Sequence, residues 1–253
     1  MKMKSKWILG ALLAASLVIA GCGGQSAEKE AVLKVGTNAT YVPFEFKNDK
    51  DEYAGFDMEL AQQIAERLHR KLEIRNIAFD GLIPAMLTGE LDMIASGMVV
   101  TPERAQKVDF IPYYQAGLGI LLNPNVEGVH QKNDLQGKKI AVQMGTTGAV
   151  AAHSIPGAQI VEFDHNSDAL LELRKGSVDA VICSIPVAKH YIKTTTDHHA
   201  KLVKDPIEAQ TLGLAFNKNN TQLKQEVEKV LLEMKKDGTY EALQKKWFGD
   251  VQK

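Results

Sequence analysis

From residue 32 onward, short apolar runs rich in Val, Ile and Leu alternate with stretches whose apolar residues return at helical spacing. Few folds accept that alternation. The runs at 32–37, 71–77, 92–98, 139–143, 159–163, 179–183 and 211–216 read as strands. Met58, Leu60, Ala61, Ile64, Ala65 and Leu68 mark one amphipathic helix, and Leu223, Val227, Val230, Leu231 and Met234 mark another. Thr101-Pro102-Glu103 is a helix start: a hydroxyl caps free N–H groups, and Pro sits where no N–H is needed. Asp80-Gly81 opens a further helix, and Asp237-Gly238 closes the long one. Strand and helix in regular alternation predict an α/β fold with mostly parallel sheets.

One pattern occurs twice. Residues 85–92 (AMLTGELD) lead into 93–97 (MIASG), and residues 171–179 (LELRKGSVD) lead into 180–184 (AVICS). Each copy is a helix, a Gly turn, an Asp and a buried strand. Two similar lobes would each deliver a strand end to a shared crevice, where ligands of open α/β sheets bind.

Composition narrows the classes. A chain of 253 residues has length for one or two domains, and 45% hydrophobic content excludes a disordered or collagen-like chain. A net charge of −1 argues against a nucleic-acid partner, which would need a basic face. Two cysteines, Cys22 and Cys183, are too few for a disulfide scaffold or a thiolate zinc site. The seven histidines show no ligand spacing, so no metal and no cofactor are expected.

The N-terminus stands apart. Lys2, Lys4 and Lys6 precede a nearly unbroken apolar run over 7–20, the pattern of a secretory signal peptide. That run is short for a membrane span, which needs about twenty residues. It ends in 17–22 (LVIAGC), which resembles a bacterial lipobox. The resemblance implies cleavage before Cys22 and a diacylglycerol on its thiol; plain secretion after cleavage near Gly21 is the alternative. Loss of the signal peptide 1–21 removes Lys2, Lys4 and Lys6 and takes the net charge from −1 to −4. Residues 22–30 then read as a tether.

Seven segments occur in a telling order: 36–46 (GTNATYVPFEF), 55–57 (GFD), 79–86 (FDGLIPAM), 101–104 (TPER), 109–110 (DF), 145–148 (GTTG) and 246–249 (KWFG). With them the chain resembles the family 3 extracellular solute-binding proteins, the polar-amino-acid receptors of ABC importers. The resemblance implies a bilobal periplasmic-binding-protein type II fold, with two α/β lobes joined by a two-strand hinge. Lobe 1 would take 31–117 and 213–249, and lobe 2 would take 122–208. The hinges would fall near 117–119 and 210–212. It also implies a monomer held outside the cytoplasm by a lipid on Cys22, in the periplasm where the cell is Gram-negative. Its partners would be a small-molecule ligand, permease subunits and the membrane. A sensory receptor is an alternative role. A dehydratase-like enzyme is a remote one, because no acid or base is clearly placed for catalysis.

Site residues follow from the same resemblance. Arg104 would grip the ligand carboxylate through paired hydrogen bonds. Thr146 and Thr147 would meet the same carboxylate from the other lobe, with Thr147 as the expected contact. Tyr41 and Phe79 would sandwich the ligand side chain. Gly97 would offer a backbone carbonyl to an ammonium, since Gly permits close approach. Five positions depart from the family pattern. Ser184 stands where Asp is usual, Val99 where Ser or Thr is usual, and Asn38 where Asp is frequent. A basic or amide-recognising residue is often found at the place of Gln143, and Cys183 replaces a polar residue. The lost charge leaves two expectations open. Either the ligand is an N-substituted or cyclic amino-acid derivative, or another small carboxylate, without a free ammonium. Or it is an ordinary amino acid whose ammonium finds a carboxylate elsewhere, such as Asp164 or Glu45.

Overall fold

The computed structural model describes residues 31–196 and 199–249. The expected signal peptide 1–21, Cys22 and the expected tether 22–30 lie outside the described residues. In chain order the first half holds β1 (Val32–Thr37), β2 (Thr40–Tyr41), β3 (Glu45–Lys47), β4 (Tyr53–Ala54), α1 (Phe56–Arg67), β5 (Lys71–Asn76), α2 (Leu82–Leu87), β6 (Met93–Ile94), α3 (Pro102–Lys107) and the long β7 (Val108–Leu122). Next come β8 (Lys139–Gln143), α4 (Thr147–His153), β9 (Gln159–Phe163), α5 (Asn166–Arg174), β10 (Ala180–Ser184), α6 (Ile185–Thr194), β11 (Lys201–Leu202) and β12 (Glu208–Asn217). The helices α7 (Thr221–Lys236) and α8 (Thr239–Phe248) close the chain.

The main sheet runs β5-β1-β6-β12-β7-β10-β8-β9, with β11 paired to β7. Its two ends are parallel: β1 with β5 and β6, and β8 with β9 and β10. Its middle is antiparallel, because β7 and β12 pair along their length and β7 also pairs β10. The expectation of mostly parallel sheets is therefore corrected to a mixed sheet. Each lobe is wound from parallel strand–helix units, and the two long strands that join the lobes run against each other. A shift in register at Leu212/Gly213 interrupts that pair. The result is the bilobal α/β fold, two lobes joined by two strands.

Burial follows the helical spacing. Leu60, Ile64 and Ala65 of α1 and Leu223, Val227 and Met234 of α7 are buried in the same apolar cluster as Leu33 and Val35 of β1. The run at 92–98 is a strand only over Met93–Ile94. Beyond Ala95 the backbone leaves the ladder: Gly97 has φ 52, and its N–H donates to Asp57 Oδ2 at 2.8 Å instead of to a neighbouring strand.

The sequence repeat is a physical one. Gly89 and Gly176 make the left-handed turns after α2 and α5. The carboxylates of Asp92 and Asp179 then accept the N–H of Lys34 and Lys139, each at 2.8 Å. In both copies an aspartate satisfies the edge of the neighbouring parallel strand and fixes where the following strand starts. Both strands run on to a serine-bearing end, Ser96 and Ser184, at the same crevice.

Candidate functional site

Asn38 follows β1, Gly97 follows β6, Thr146 follows β8 and Ser184 ends β10, and all four border one cavity between the lobes. The space between its lining atoms is ≈ 510 Å³ counting the mouth, but the centre of a water-sized molecule fits in only ≈ 30 Å³ of it. That is room for about two waters. The lobes are drawn together by hydrogen bonds across the gap. Ser184 N–H donates to Tyr41 Oη at 2.9 Å, and Gln143 Nε2 donates to Asn38 Oδ1 at 3.0 Å.

Arg104 is aimed into the cavity by the helix start read from the sequence. Thr101 Oγ1 accepts the Arg104 N–H at 3.2 Å, and Pro102 holds the first helical position. The guanidinium donates from Nη1 to the Val99 carbonyl at 2.7 Å and from Nη2 to the Gly145 carbonyl of the other lobe at 2.9 Å. It lies 5.3 Å from the centre of the Phe79 ring. Burial pushes it down to about 10, so it stays cationic at neutral pH. A guanidinium has five N–H donors, and an anion can take those not held by the two carbonyls.

From the other lobe, Thr146 caps α4, its Oγ1 accepting the Ala149 N–H at 3.2 Å and donating to the Gln143 carbonyl at 2.7 Å. Thr147 is less committed: its Oγ1 accepts from Gln210 Nε2 at 2.8 Å, and its own proton is left to donate into the cavity. Gly148 lets α4 approach β10, since a Cβ there would stand 2.6 Å from the Ile182 carbonyl oxygen.

Tyr41 and Phe79 both border the cavity, Phe79 as the surface beneath Arg104 and Tyr41 as a bridge to Ser184. At Gly97 a Cβ would press on the Tyr41 ring at 3.2 Å, and the backbone φ of 52 is one that L side chains rarely adopt, so a side chain there would strain the turn and push the ring aside. Glu45 itself is 1% exposed and borders the cavity. Behind it lies Asp57, fully buried, whose Oδ2 accepts the N–H of Gly97 at 2.8 Å and the O–H of Tyr113 at 2.7 Å. Burial, and then the neighbouring Asp57, hold Glu45 well above the usual carboxylate range. Burial pushes Asp57 up to about 6, against the hydrogen bonds it receives from Gly97 and Tyr113.

The departures all border the same space. Ser184 is 3% exposed, its Oγ has no hydrogen-bond partner, and it does not cap α6. Burial pushes the Cys183 thiol up to about 12, so it is a neutral thiol and not a nucleophilic thiolate. Val99 offers its carbonyl to Arg104 and no side-chain hydroxyl to the cavity. Asn38 and Gln143 spend much of their polarity on each other and on nearby backbone, Asn38 Nδ2 on the Ile77 carbonyl at 2.8 Å and Gln143 Nε2 on the Asp164 carbonyl at 3.0 Å.

Every cavity residue named from the sequence thus reaches one place. Of the two carboxylates offered there as counter-charges, Glu45 borders the cavity, while Asp164 approaches it only through its carbonyl. Ser96, on a strand end singled out from the sequence, and Leu118, Gln210 and Leu212, named there only as hinge residues, also border it; Asn166 and Ile182 border it and were not picked out as site residues. Gln210 carried a faint signal, an amide beside an apolar strand run. Asn166 Nδ2 is buried without a partner.

The model of the bacterial extracellular solute-binding proteins, family 3, matches residues 33–250. The arginine-binding extracellular protein ArtP of Bacillus subtilis is 32% identical over 253 residues, covering 96% of this chain and 98% of that protein. A probable histidine-binding protein of Campylobacter jejuni is 37% identical over 217 residues, 85% of this chain and 84% of that one. Among solved structures, an ancestral arginine-binding protein bound to arginine superposes with a TM-score of 0.84 at 39% identity, over 87% of this chain and 99% of that chain.

Proposed function

The chain belongs to the bacterial extracellular solute-binding proteins, family 3, and on that premise we propose that it captures a polar amino acid, or a close carboxylate-bearing analogue, and delivers it to the permease of an ABC importer. The observation that carries this reading is the Arg104 guanidinium. It is partly buried, fixed by two carbonyls, with donors to spare, in a cavity whose one lining carboxyl is Glu45. A fixed cation and a carboxyl that can ionise are what a zwitterion needs. Relatives of this chain are named for binding arginine and histidine, and the family and these relatives are binding proteins.

Capture works by hinge closure. Lobe 1 is taken as 31–117 and 213–249, lobe 2 as 122–208, and the strands bend near 117–119 and 210–212. The small space between the lobes supports this reading, because an amino acid enters only when the walls part. The signal peptide 1–21 carries the protein out of the cytoplasm, and a lipid on Cys22 with the tether 22–30 holds it, as a monomer, near the membrane. A second reading has one observation in its favour: the Oγ of Ser184 is buried, unpaired and uncharged, which suits a ligand whose amino group is substituted or absent.

The test is calorimetric titration of the purified protein with the twenty standard amino acids, their N-acetyl forms and cyclic derivatives. Micromolar or tighter binding of a standard polar amino acid is expected. Selective binding of N-acetyl or cyclic derivatives favours the second reading, and binding of none of these compounds overturns both.

A further inference from the structure

Two buried carboxylates share one corner of the cleft, and only one of them touches the cavity. Glu45 and Asp57 stand against each other, each with one buried oxygen that no donor reaches, and both are shut away from solvent. Two carboxylates in such contact cannot both be charged at low cost. The donors decide which keeps the charge. Asp57 receives a backbone N–H and a phenol O–H at 2.8 and 2.7 Å, while Glu45 receives one hydroxyl, from Ser96, at 3.3 Å. The proton therefore resides on Glu45 and points to Asp57. That placement accounts for the two oxygens, Glu45 Oε2 and Asp57 Oδ1, that otherwise have no donor. The ionisable groups facing Glu45 are Asp57 from α1, Tyr113 from β7 and Tyr41 from β2. The phenols stay neutral, so only the carboxyl proton is mobile at ordinary pH.

The cavity lining holds Arg104 for an anion, and its other side chains offer a cation no fixed counter-charge except Glu45. Ser184, Val99, Asn38 and Gln143 are all neutral. We propose that Glu45 is the specificity-determining counter-ion for the ammonium of an amino-acid ligand, and that binding drives its shared proton out to solvent. The exchange balances. Glu45 carboxylic acid plus an ammonium in solution becomes Glu45 carboxylate paired with the bound ammonium, and one proton passes to the buffer. Asp57 keeps its charge, its bonds to Gly97 and Tyr113, and so the shape of the Gly97 turn. This inference rests on the amino-acid reading above and adds to it which residue recognises the ammonium and how that recognition is tied to pH.

Calorimetry on the intact protein in buffers of different ionisation enthalpy counts the protons released. The probes are the twenty standard amino acids and then the N-acetyl form of the one that binds tightest. Near neutral pH, about one proton is expected per amino acid bound, with affinity rising by up to about tenfold per pH unit until free Glu45 has lost its proton. Glu45→Gln should fold, release no proton and weaken binding by roughly 100-fold. The N-acetyl form should bind weakly and release none. Binding with no proton release, or an undiminished affinity in Glu45→Gln, overturns this inference and leaves amino-acid capture standing. Full proton release by the N-acetyl form overturns the assignment to the ammonium. Binding of none of the twenty overturns both. The proton count is read on the native protein, so the test survives even if Glu45→Gln does not fold.

Discussion

The wall of the cleft contributed by β1, β3, β6 and α3 carries its one carboxyl and its one guanidinium, Glu45 and Arg104; the wall contributed by β8, α4 and β10 bears neither. The first wall is also the more tightly tied from behind, through Asp57 to Gly97 and Tyr113 and through Thr101 to Arg104. The second wall offers hydroxyls and amides, among them Thr147, Gln143 and Ser184. Charge-assisted hydrogen bonds are about twice as strong as neutral ones. Under the proposed amino-acid function, the contrast would assign recognition of the ligand's charges to lobe 1. It leaves lobe 2 the work of closing over the ligand and filling the remaining polar positions.

Substitutions can break this contrast at either wall. Arg104→Ala removes the cation of the first wall and should weaken amino-acid binding by about 100-fold or more, near 3 kcal/mol, by calorimetry. Its melting temperature should change little, because the Thr101 cap and Pro102 remain. On the second wall, Gly148→Ala sets a methyl 2.6 Å from a backbone oxygen and must push α4 off β10. A stability loss of about 1–3 kcal/mol in urea unfolding is expected. Thr147→Val deletes one neutral hydroxyl and should cost about 1 kcal/mol of affinity, roughly fivefold. The smallest effect belongs to Cys183. With its thiol raised to about 12, native protein at pH 8 should resist iodoacetamide at this residue, while urea-unfolded protein is labelled, as read by mass spectrometry.

Much of the fold was legible in the chain because it is written locally. Hydrophobic spacing marked α1 and α7, the Thr101-Pro102 start set Arg104 in a first turn, and the repeated Gly-x-x-Asp placed two strand ends at one crevice. The antiparallel middle of the sheet was not legible. β7 is broken in sequence by Pro112, Gly117 and Gly119, and only its pairing with strands distant along the chain, β12 over 108–118 and β10 over 118–122, makes it one strand. The cavity followed the same rule. Residues on short motifs, such as Tyr41, Arg104 and Thr147, could be named. Asn166 and Gln210 reach the cleft only through tertiary packing. Glu45 was visible as one of two candidate carboxylates, and what separates it from Asp164 is a three-dimensional fact: it stands under Gly97, against Asp57.

The division of labour between the walls is tested most directly by titrating Arg104→Ala and Thr147→Val with the same tightly bound amino acid, in one buffer, beside the native protein. The predicted affinity loss is at least about tenfold greater for Arg104→Ala than for Thr147→Val. Equal losses, or a greater loss for Thr147→Val, would contradict the assignment of charge recognition to lobe 1.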